Sequence, residues 1–443
     1  MKKIFLLIFI VSRLDAQTIN FPLKADIDQR HLVDQSGQPV FLNGCASWRL
    51  TYHIKYEDVK KYLLDRQKTG YNALILEITP DYAEDKGGNY PDINGEYIFH
   101  EKDISQPNEK FFAHADSVLQ LCSDMHFVVL LFPLYLGCCR DGWLEILQHA
   151  PNTVEKCRDY GKWIATRYKK FDNIIWVSGG DHNETPESIA FAEGLSSVDR
   201  SHLHGYHTGP GFTSLQRLSS AEWLSLDFIY TYFPAMIGGQ HHVYAQFFEE
   251  TLRSRRMPTI MAESAYEYER NETTQTLRRQ AYWALLSGAS GHIFGNRDTW
   301  MMNDNWINAL HTPGNQSMEI FYSFVKKIPW HKLEPDWTHT LFTGGRGQFN
   351  PTDFPGGEDY ATAAFSKDST LGVLYMPSYR KVTVNMERFP SPAKASWFDP
   401  TSGKYIDVQD LIRNKGVVFL SPPSLKNDQG FDDWVLLIRA VKK

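Results

Sequence analysis

Between residues 40 and 328 the chain repeats one pattern: a short, nearly unbroken apolar run, then a longer stretch with helical periodicity. The apolar runs fall at 40–43, 73–78, 127–132, 174–177, 203–206, 228–232, 259–262 and 291–294. Amphipathic segments at 56–69, 110–125, 153–169, 243–255 and 274–287 lie between them. Runs of this kind suit strands covered on both faces, which is the environment of parallel sheet. Eight of them, alternating with helices, predict an α/β fold of the (β/α)8 TIM-barrel type over residues 17–332, with a short extended lead-in that turns at Asp34-Gln-Ser-Gly37. Several runs end in polar groups: Glu77, Asp181, His207, Tyr232, Glu263 and Asn296. In such a barrel the chemistry gathers at the carboxyl ends of the strands, so these residues mark where a site is expected.

After residue 332 the texture changes. Short, often alternating segments at 361–365, 371–376, 381–385, 395–398, 417–420 and 434–439 are divided by Gly, Pro, Asp and Ser. That pattern predicts a small antiparallel β-sandwich over 333–443, with a turn at Asp399-Pro-Thr-Ser-Gly403.

The start of the chain has the layout of a secretory signal peptide over residues 1–16. Lys2 and Lys3 precede an apolar run from Ile4 to Val11, and Asp15-Ala16 stand before Gln17. Eight apolar residues are too few to cross a bilayer, and no later run is long enough, so no membrane span is expected. The location this implies is periplasmic or secreted. Removing residues 1–16 would take the net charge from -6 to -8. This sign offers no general attraction to nucleic acid or anionic lipid. Five cysteines, Cys45, Cys122, Cys138, Cys139 and Cys157, cannot all pair and leave room for one disulfide. No Cys/His group has metal-ligand spacing, no glycine-rich phosphate loop follows a strand, and no G-x-S-x-G or HExxH motif occurs. Neither a metal nor a cofactor is therefore expected.

Two of the strand ends carry carboxylates in suggestive company. Ile174-Ile-Trp-Val-Ser-Gly-Gly-Asp181 is a strand, a Gly-Gly bend and an acid; Pro258-Thr-Ile-Met-Ala-Glu263 is a second apolar strand ending in an acid. By count these are the fourth and seventh strands. Glycoside cleavage needs one acid to protonate the leaving oxygen and a second to attack or stabilise the cationic anomeric carbon. Taken alone, either residue is equally a solvated loop acid, and Asp181 is also placed to cap a following helix. Aromatic content is 14%, with 12 Trp and 22 Tyr, which suits a cleft that stacks on sugar rings as well as a core. Trp48, Glu77, His182, Asn183, His207, Tyr232, Tyr266, Asn296 and Trp300 are the candidate substrate-binding residues around the pair.

Several blocks resemble the apiosidase-like catalytic domain of glycoside hydrolase family 140. They are Phe41-Leu-Asn-Gly44 through Trp48-Arg-Leu50, Tyr62 through Asn72, Ile175 through Asn183, Glu263-Ser-Ala-Tyr266-Glu267, and the long run from Arg278 to Asn296. Trp397-Phe-Asp-Pro-Thr-Ser-Gly403 and Asp433-Trp434 resemble the "collagen-binding" β-sandwich often found behind that barrel. The resemblance implies an exo-acting hydrolase of polysaccharide breakdown, with an oligo- or polysaccharide partner and apiose-bearing pectic side chains as reference substrate. It maps Asp181 to the general acid/base and Glu263 to the nucleophile of a retaining enzyme. Two departures stand out. The family commonly has Asp where this chain has Cys45, and Gln-Ser-Gly-His where this chain has Tyr230-Thr-Tyr232-Phe233. Both positions are expected to shape the sugar subsite. Two readings stay open beside the exo-glycosidase: an endo-glycanase of cellulase or mannanase type, and a non-catalytic glycan-binding protein on the same scaffold.

Overall fold

A computed structural model describes residues 19–80, 90–138, 142–232, 242–270, 272–350, 356–408 and 410–441. The leader expected at 1–16 and Cys139 lie outside them. Eight parallel strands form the barrel: β1 (Leu42–Ala46), β2 (Ala73–Glu77), β3 (Val128–Phe132), β4 (Ile174–Gly179), β5 (His204–His207), β6 (Asp227–Tyr232), β7 (Thr259–Ser264) and β8 (Gly291–Asn296). Their order, β5-β4-β3-β2-β1-β8-β7-β6, is that of a TIM barrel with one seam, between β5 and β6. At that seam the edge of β6 is hydrogen-bonded by the β5–β6 connection. Gly211 donates to the Tyr230 carbonyl at 2.9 Å, and Phe228 donates to Ser214 Oγ at 2.9 Å.

The strands are apolar on both faces because they separate two cores. Leu42, Ala46, Ile75, Leu130, Val177, Phe228, Ile260 and Ile293 fill the lumen. Leu74, Leu76, Val129, Leu131, Trp176 and Ile229 pack outward against the helices. Cys45 belongs to this outer layer, with its sulfur 3.4 Å from the Tyr62 hydroxyl of the helix Tyr56–Lys68. It therefore faces away from the lumen, and the expectation that it shapes a sugar subsite is corrected. Cys45, Cys122 and Cys157 are buried free thiols, and no disulfide joins two of the described cysteines.

The helix Pro186–Val198 begins at a capping box made by Thr185 and Ser188, with Pro186 in its first turn. The cap is thus Thr185, and Asp181 is released from that structural duty.

Behind the barrel, two antiparallel sheets make the sandwich. One has six strands: β9 (Leu333–Pro335), β11 (Thr362–Ser366), β12 (Leu371–Met376), β17 (Trp434–Ala440), β14 (Ala393–Phe398) and β15 (Tyr405–Asp407), in that spatial order. The other has three: β10 (Phe342–Gly344), β13 (Val382–Asn385) and β16 (Val417–Leu420). The turn at Asp399 closes through Gly403, which donates to the Asp399 carbonyl at 2.9 Å. Barrel and sandwich meet along the helix Thr274–Leu286. There Tyr282 stacks on Tyr375 with ring centroids 4.8 Å apart, and the Trp283 indole donates to the Tyr360 carbonyl at 2.8 Å. No helix among the described residues is long and apolar enough to cross a membrane.

Candidate active site

The site is set by backbone that only glycine tolerates. Gly179 and Gly180 follow one another at φ +85° and +102°. A Cβ on Gly180 would stand 2.3 Å from the Tyr135 ring, and one on Gly179 would stand 2.4 Å from the His207 carbonyl oxygen. This double bend turns the chain over the barrel mouth and delivers Asp181, itself left-handed at φ +52°. Register does the rest. The β4–β5 pairing sets Gly179 opposite His207, and an irregular β6–β7 pairing sets Tyr230 opposite Glu263.

Three side chains converge. His207 Nδ1 lies 3.4 Å from Asp181 Oδ1, and His207 Nε2 lies 3.2 Å from Glu263 Oε2. The Asp181 backbone N–H also faces Nδ1, at 3.3 Å. One polar atom from each side chain falls within 4.8 Å of the others. The imidazole is fully buried, with Tyr230 tilted over it at 4.8 Å and the rings of Trp48 and Phe132 edge-on at 6.0 and 5.6 Å. Burial pushes its pKa down to about 4, with the Asp181 charge pulling the other way, so the ring is neutral near pH 7. Burial pushes Glu263 up to about 8; a hydrogen bond from Tyr266 opposes that shift. Asp181 is the more open acid, its side chain 15% exposed against 6% for Glu263. The pair is thus unequal, and burial strengthens the hold on a proton at Glu263, the more enclosed of the two.

These three residues are also the one group among the described residues whose atoms approach metal-ligand spacing. The imidazole offers a different nitrogen to each carboxylate. A cation beside Nε2 and Glu263 would lie across the ring from the Asp181 oxygen that faces Nδ1. The two contacts lie on opposite sides of the ring, so the arrangement offers no common ligand point.

The other candidate residues divide into floor, rim and frame. Trp48 and Tyr266 are floor: the Trp48 indole donates to the Tyr266 hydroxyl at 2.9 Å, and Gly295 leaves room for the Tyr266 ring, which a Cβ would meet at 2.2 Å. Tyr232 and Trp300 form a rim joined through Glu269. The Tyr232 hydroxyl and the Trp300 indole each donate to one of its carboxylate oxygens, and the Arg49 guanidinium lies 5.0 Å over the Trp300 ring. Asn183 ties the β4 loop to the β5 loop by accepting from the Gly209 N–H at 3.3 Å, and His182 turns its Nδ1 to the Asn183 carbonyl.

Glu77 and Asn296 serve as frame. Both are fully buried. Glu77 accepts from the Tyr52 hydroxyl. Asn296 caps the short helix Arg297–Met301 and donates to Glu267 at 2.8 Å, so the structure gives it a structural place and not one facing the sugar. Glu267 is held by Asn296, Thr312 and the Gly314 N–H at the start of the helix Pro313–Lys326, where the helix dipole favours its charge. Of the two acids in the Glu-Ser-Ala-Tyr-Glu block, only Glu263 reaches the Asp181 side. Tyr230, marked in the sequence by its departure from the family pattern, is brought against His207 by the strand irregularity, whereas Glu269 carries no motif that singles it out and is brought in by loop folding.

A barrel with an unequal acid pair at the ends of its fourth and seventh strands defines a TIM-barrel glycoside hydrolase. The model of the "Apiosidase-like, catalytic domain" family matches residues 26–332, and the chain belongs to that family. A second model, "Putative collagen-binding domain of a collagenase", matches residues 355–439. Among solved structures, a glycoside hydrolase family 5 protein from Bacteroides vulgatus superposes with a TM-score of 0.79 at 20% identity, covering 94% of this chain and 93% of that one. A second, described as a glycoside hydrolase, gives 0.80 at 21% identity over 96% and 98%. These likenesses concern the fold. No curated protein matches the chain.

Proposed function

We propose that the chain is an exported, exo-acting, retaining glycosidase of glycoside hydrolase family 140. Its substrate is a pectic glycan of the plant cell wall, from which it releases a terminal sugar, apiose or a close relative. The observation that carries this reading is the spacing of the acid pair. Asp181 and Glu263 offer oxygens within 4.8 Å of each other. Retaining pairs stand about 5–5.5 Å apart, and inverting pairs about 6.5–9.5 Å because a water must fit between acid and sugar. Asp181, the more exposed acid, protonates the glycosidic oxygen. Glu263 attacks the anomeric carbon from the opposite side and forms a glycosyl ester. Asp181, now a base, takes a proton from the water that releases the sugar. The Tyr232–Glu269–Trp300 rim supplies aromatic faces for the ring. Exo action and the identity of the sugar rest on the sequence blocks shared with the family, and export rests on Lys2, Lys3 and the apolar run after them.

The test is sugar release from a panel of pectic side chains and aryl glycosides, with Glu263→Gln as control. Free apiose, lost in the control, supports the whole reading. Another monosaccharide keeps the mechanism and changes the sugar, while oligosaccharide products replace exo with endo action. Glycan binding without any release, undiminished when both acids are neutralised, would make the chain a binding protein.

A further inference from the structure

A cavity opens at the end of the barrel away from the acid pair. It holds about 480 Å³, within the range of roughly 300–1,000 Å³ that takes small ligands, and it lies where such pockets are common, at a junction between domains. Three parts of the chain wall it: the lead-in at Arg30, the helix Val243–Thr251 with the loop that follows, and the sandwich at Pro335 and Trp337. Thr259, the first residue of β7, is part of the lining. At about 3.3 Å per residue, Glu263 stands roughly 13 Å further along that strand, at the mouth. Building on the glycosidase reading, we propose that this cavity is an accessory binding site for a uronate-bearing glycan, which holds the polymer while the acids at the mouth cut a sugar from it.

Most charges on the cavity wall cancel. The Arg30 guanidinium lies 3.1 Å from Glu334, and Lys367 sits between Asp28 and Glu334 at 3.8 and 3.5 Å. Glu250 is held by Arg253 at 2.8 Å. Arg255 and Arg256 differ, since neither meets a carboxylate among the described residues. Arg255 donates to three backbone carbonyls, those of Ser219, Ala221 and Leu224, so its charge is fixed in place but not cancelled. Arg256 is exposed and makes no hydrogen bond or ion pair with a described residue. Two neighbouring cations without acids favour an anion, and the planar guanidinium fork matches a carboxylate in particular.

The rest of the lining suits a sugar ring. Trp337 is half-buried, steadied by Phe248 edge-on at 5.4 Å, and stands in the wall with Pro335 and Met257. Such a ring takes the apolar C–H face of a sugar. Three polar groups of the lining are buried and find no hydrogen-bond partner among the described residues: the Trp337 indole N–H, Ser287 Oγ and Glu250 Oε2. Ser287 is only 4% exposed and the Glu250 side chain 8%. Unmatched polar groups at such depth are costly, and hydroxyls match all three. A sugar O–H donates to Glu250, a sugar oxygen accepts from Trp337, and Ser287 does either. A small inorganic anion would use the arginines alone; a ring that carries a carboxylate uses the arginines, the indole and the buried groups together.

The probe is a galacturonate trimer, set against a neutral galactose trimer of the same linkage. Each is titrated by calorimetry into the full chain carrying Glu263→Gln, so that neither is cut. The acidic trimer should bind, and the neutral one about 10-fold more weakly. Adding Arg256→Gln should weaken the acidic trimer about 10-fold; Arg256 is exposed and makes no hydrogen bond, so this variant folds as the parent does. On the otherwise wild-type chain, Arg256→Gln should raise KM for a pectic polymer and leave kcat, and KM for a small aryl glycoside, unchanged. No binding of the acidic trimer, equal binding of the neutral one, or binding unmoved by Arg256→Gln overturns the proposal, the last because the ligand then sits elsewhere, the mouth included. Binding that depends on Arg256 in a chain that cuts no glycoside keeps the cavity and sinks the glycosidase reading. Sugar release without such binding does the reverse.

Discussion

The Asp433 carboxylate holds the Arg278 guanidinium through two parallel hydrogen bonds, each 2.9 Å, with both side chains fully buried between barrel and sandwich. Tyr375 and Asn427 donate to the same carboxylate, and the Phe431 ring lies 4.7 Å from the guanidinium carbon. Every lone pair is in use, so the pair tolerates its burial. Removing one partner strands the other charge.

Asp433→Ala is accordingly expected to destabilise the protein by about 3–5 kcal/mol. Because the pair spans the two layers, calorimetry should show the sandwich and the barrel losing stability together. An unchanged unfolding midpoint would mean that the contact is not a brace.

Gly180→Ala tests how the acid is delivered. The new Cβ meets the Tyr135 ring at 2.3 Å in a left-handed conformation, at a strain cost of about 1–3 kcal/mol. Relief of that strain shifts Asp181, and displacing a reacting group by about 1 Å can cost roughly 100-fold in rate. A well-folded variant with wild-type kcat would show that the bend does not set the position of Asp181.

Much of this was legible in the sequence, for identifiable reasons. Strands buried on both faces read as continuous apolar runs, and seven of the eight were located to within two residues at each end. The first was read at 40–43 and found at Leu42–Ala46, because Gly44, Cys45 and Ala46 lack the bulk that marks a run. The three-residue strands at Leu333, Phe342 and Tyr405 escaped notice, since segments so short have no period to detect. Strand ends pointed to Asp181, His207 and Glu263. That His207 lies between the two acids was not legible, because it depends on the inter-strand register at β4–β5 and β6–β7. Asn296 shared the same strand-end signal and is a cap, so that signal does not separate frame from site.

Stability should fall on acidification. Burial lowers His31 and His207 to about 4 and His292 to about 3, from an ordinary 6.5. Between those values and pH 6.5 the unfolded chain takes up protons that the folded chain refuses. Stability is therefore complete above 6.5 and is lost as pH drops, by on the order of 3 kcal/mol for each of the two fully buried rings, His207 and His292. Glu263 works in reverse, since its raised pKa makes stability decline gently from pH 4.5 to 8. Thermal melts should peak near neutrality, and Glu263→Gln should remove the alkaline decline. A midpoint constant from pH 4 to 7 would contradict the burial of neutral histidines.

Chelation separates a metal-free acid pair beside a neutral histidine from a cation site. Turnover should be unaffected by EDTA and unchanged by added zinc or calcium. Activity lost to the chelator and restored by one ion would make Asp181, His207 and Glu263 ligands.

The most direct test of the central claim, that Asp181 and Glu263 act as a retaining pair, is the stereochemistry of the first product. Proton NMR, recorded on a hydrolysed glycoside before mutarotation, reads the anomer as it leaves the enzyme. Their spacing predicts the same anomeric configuration as the substrate, through an ester on Glu263. Release of the opposite anomer would mean that a water, and not Glu263, attacks the sugar.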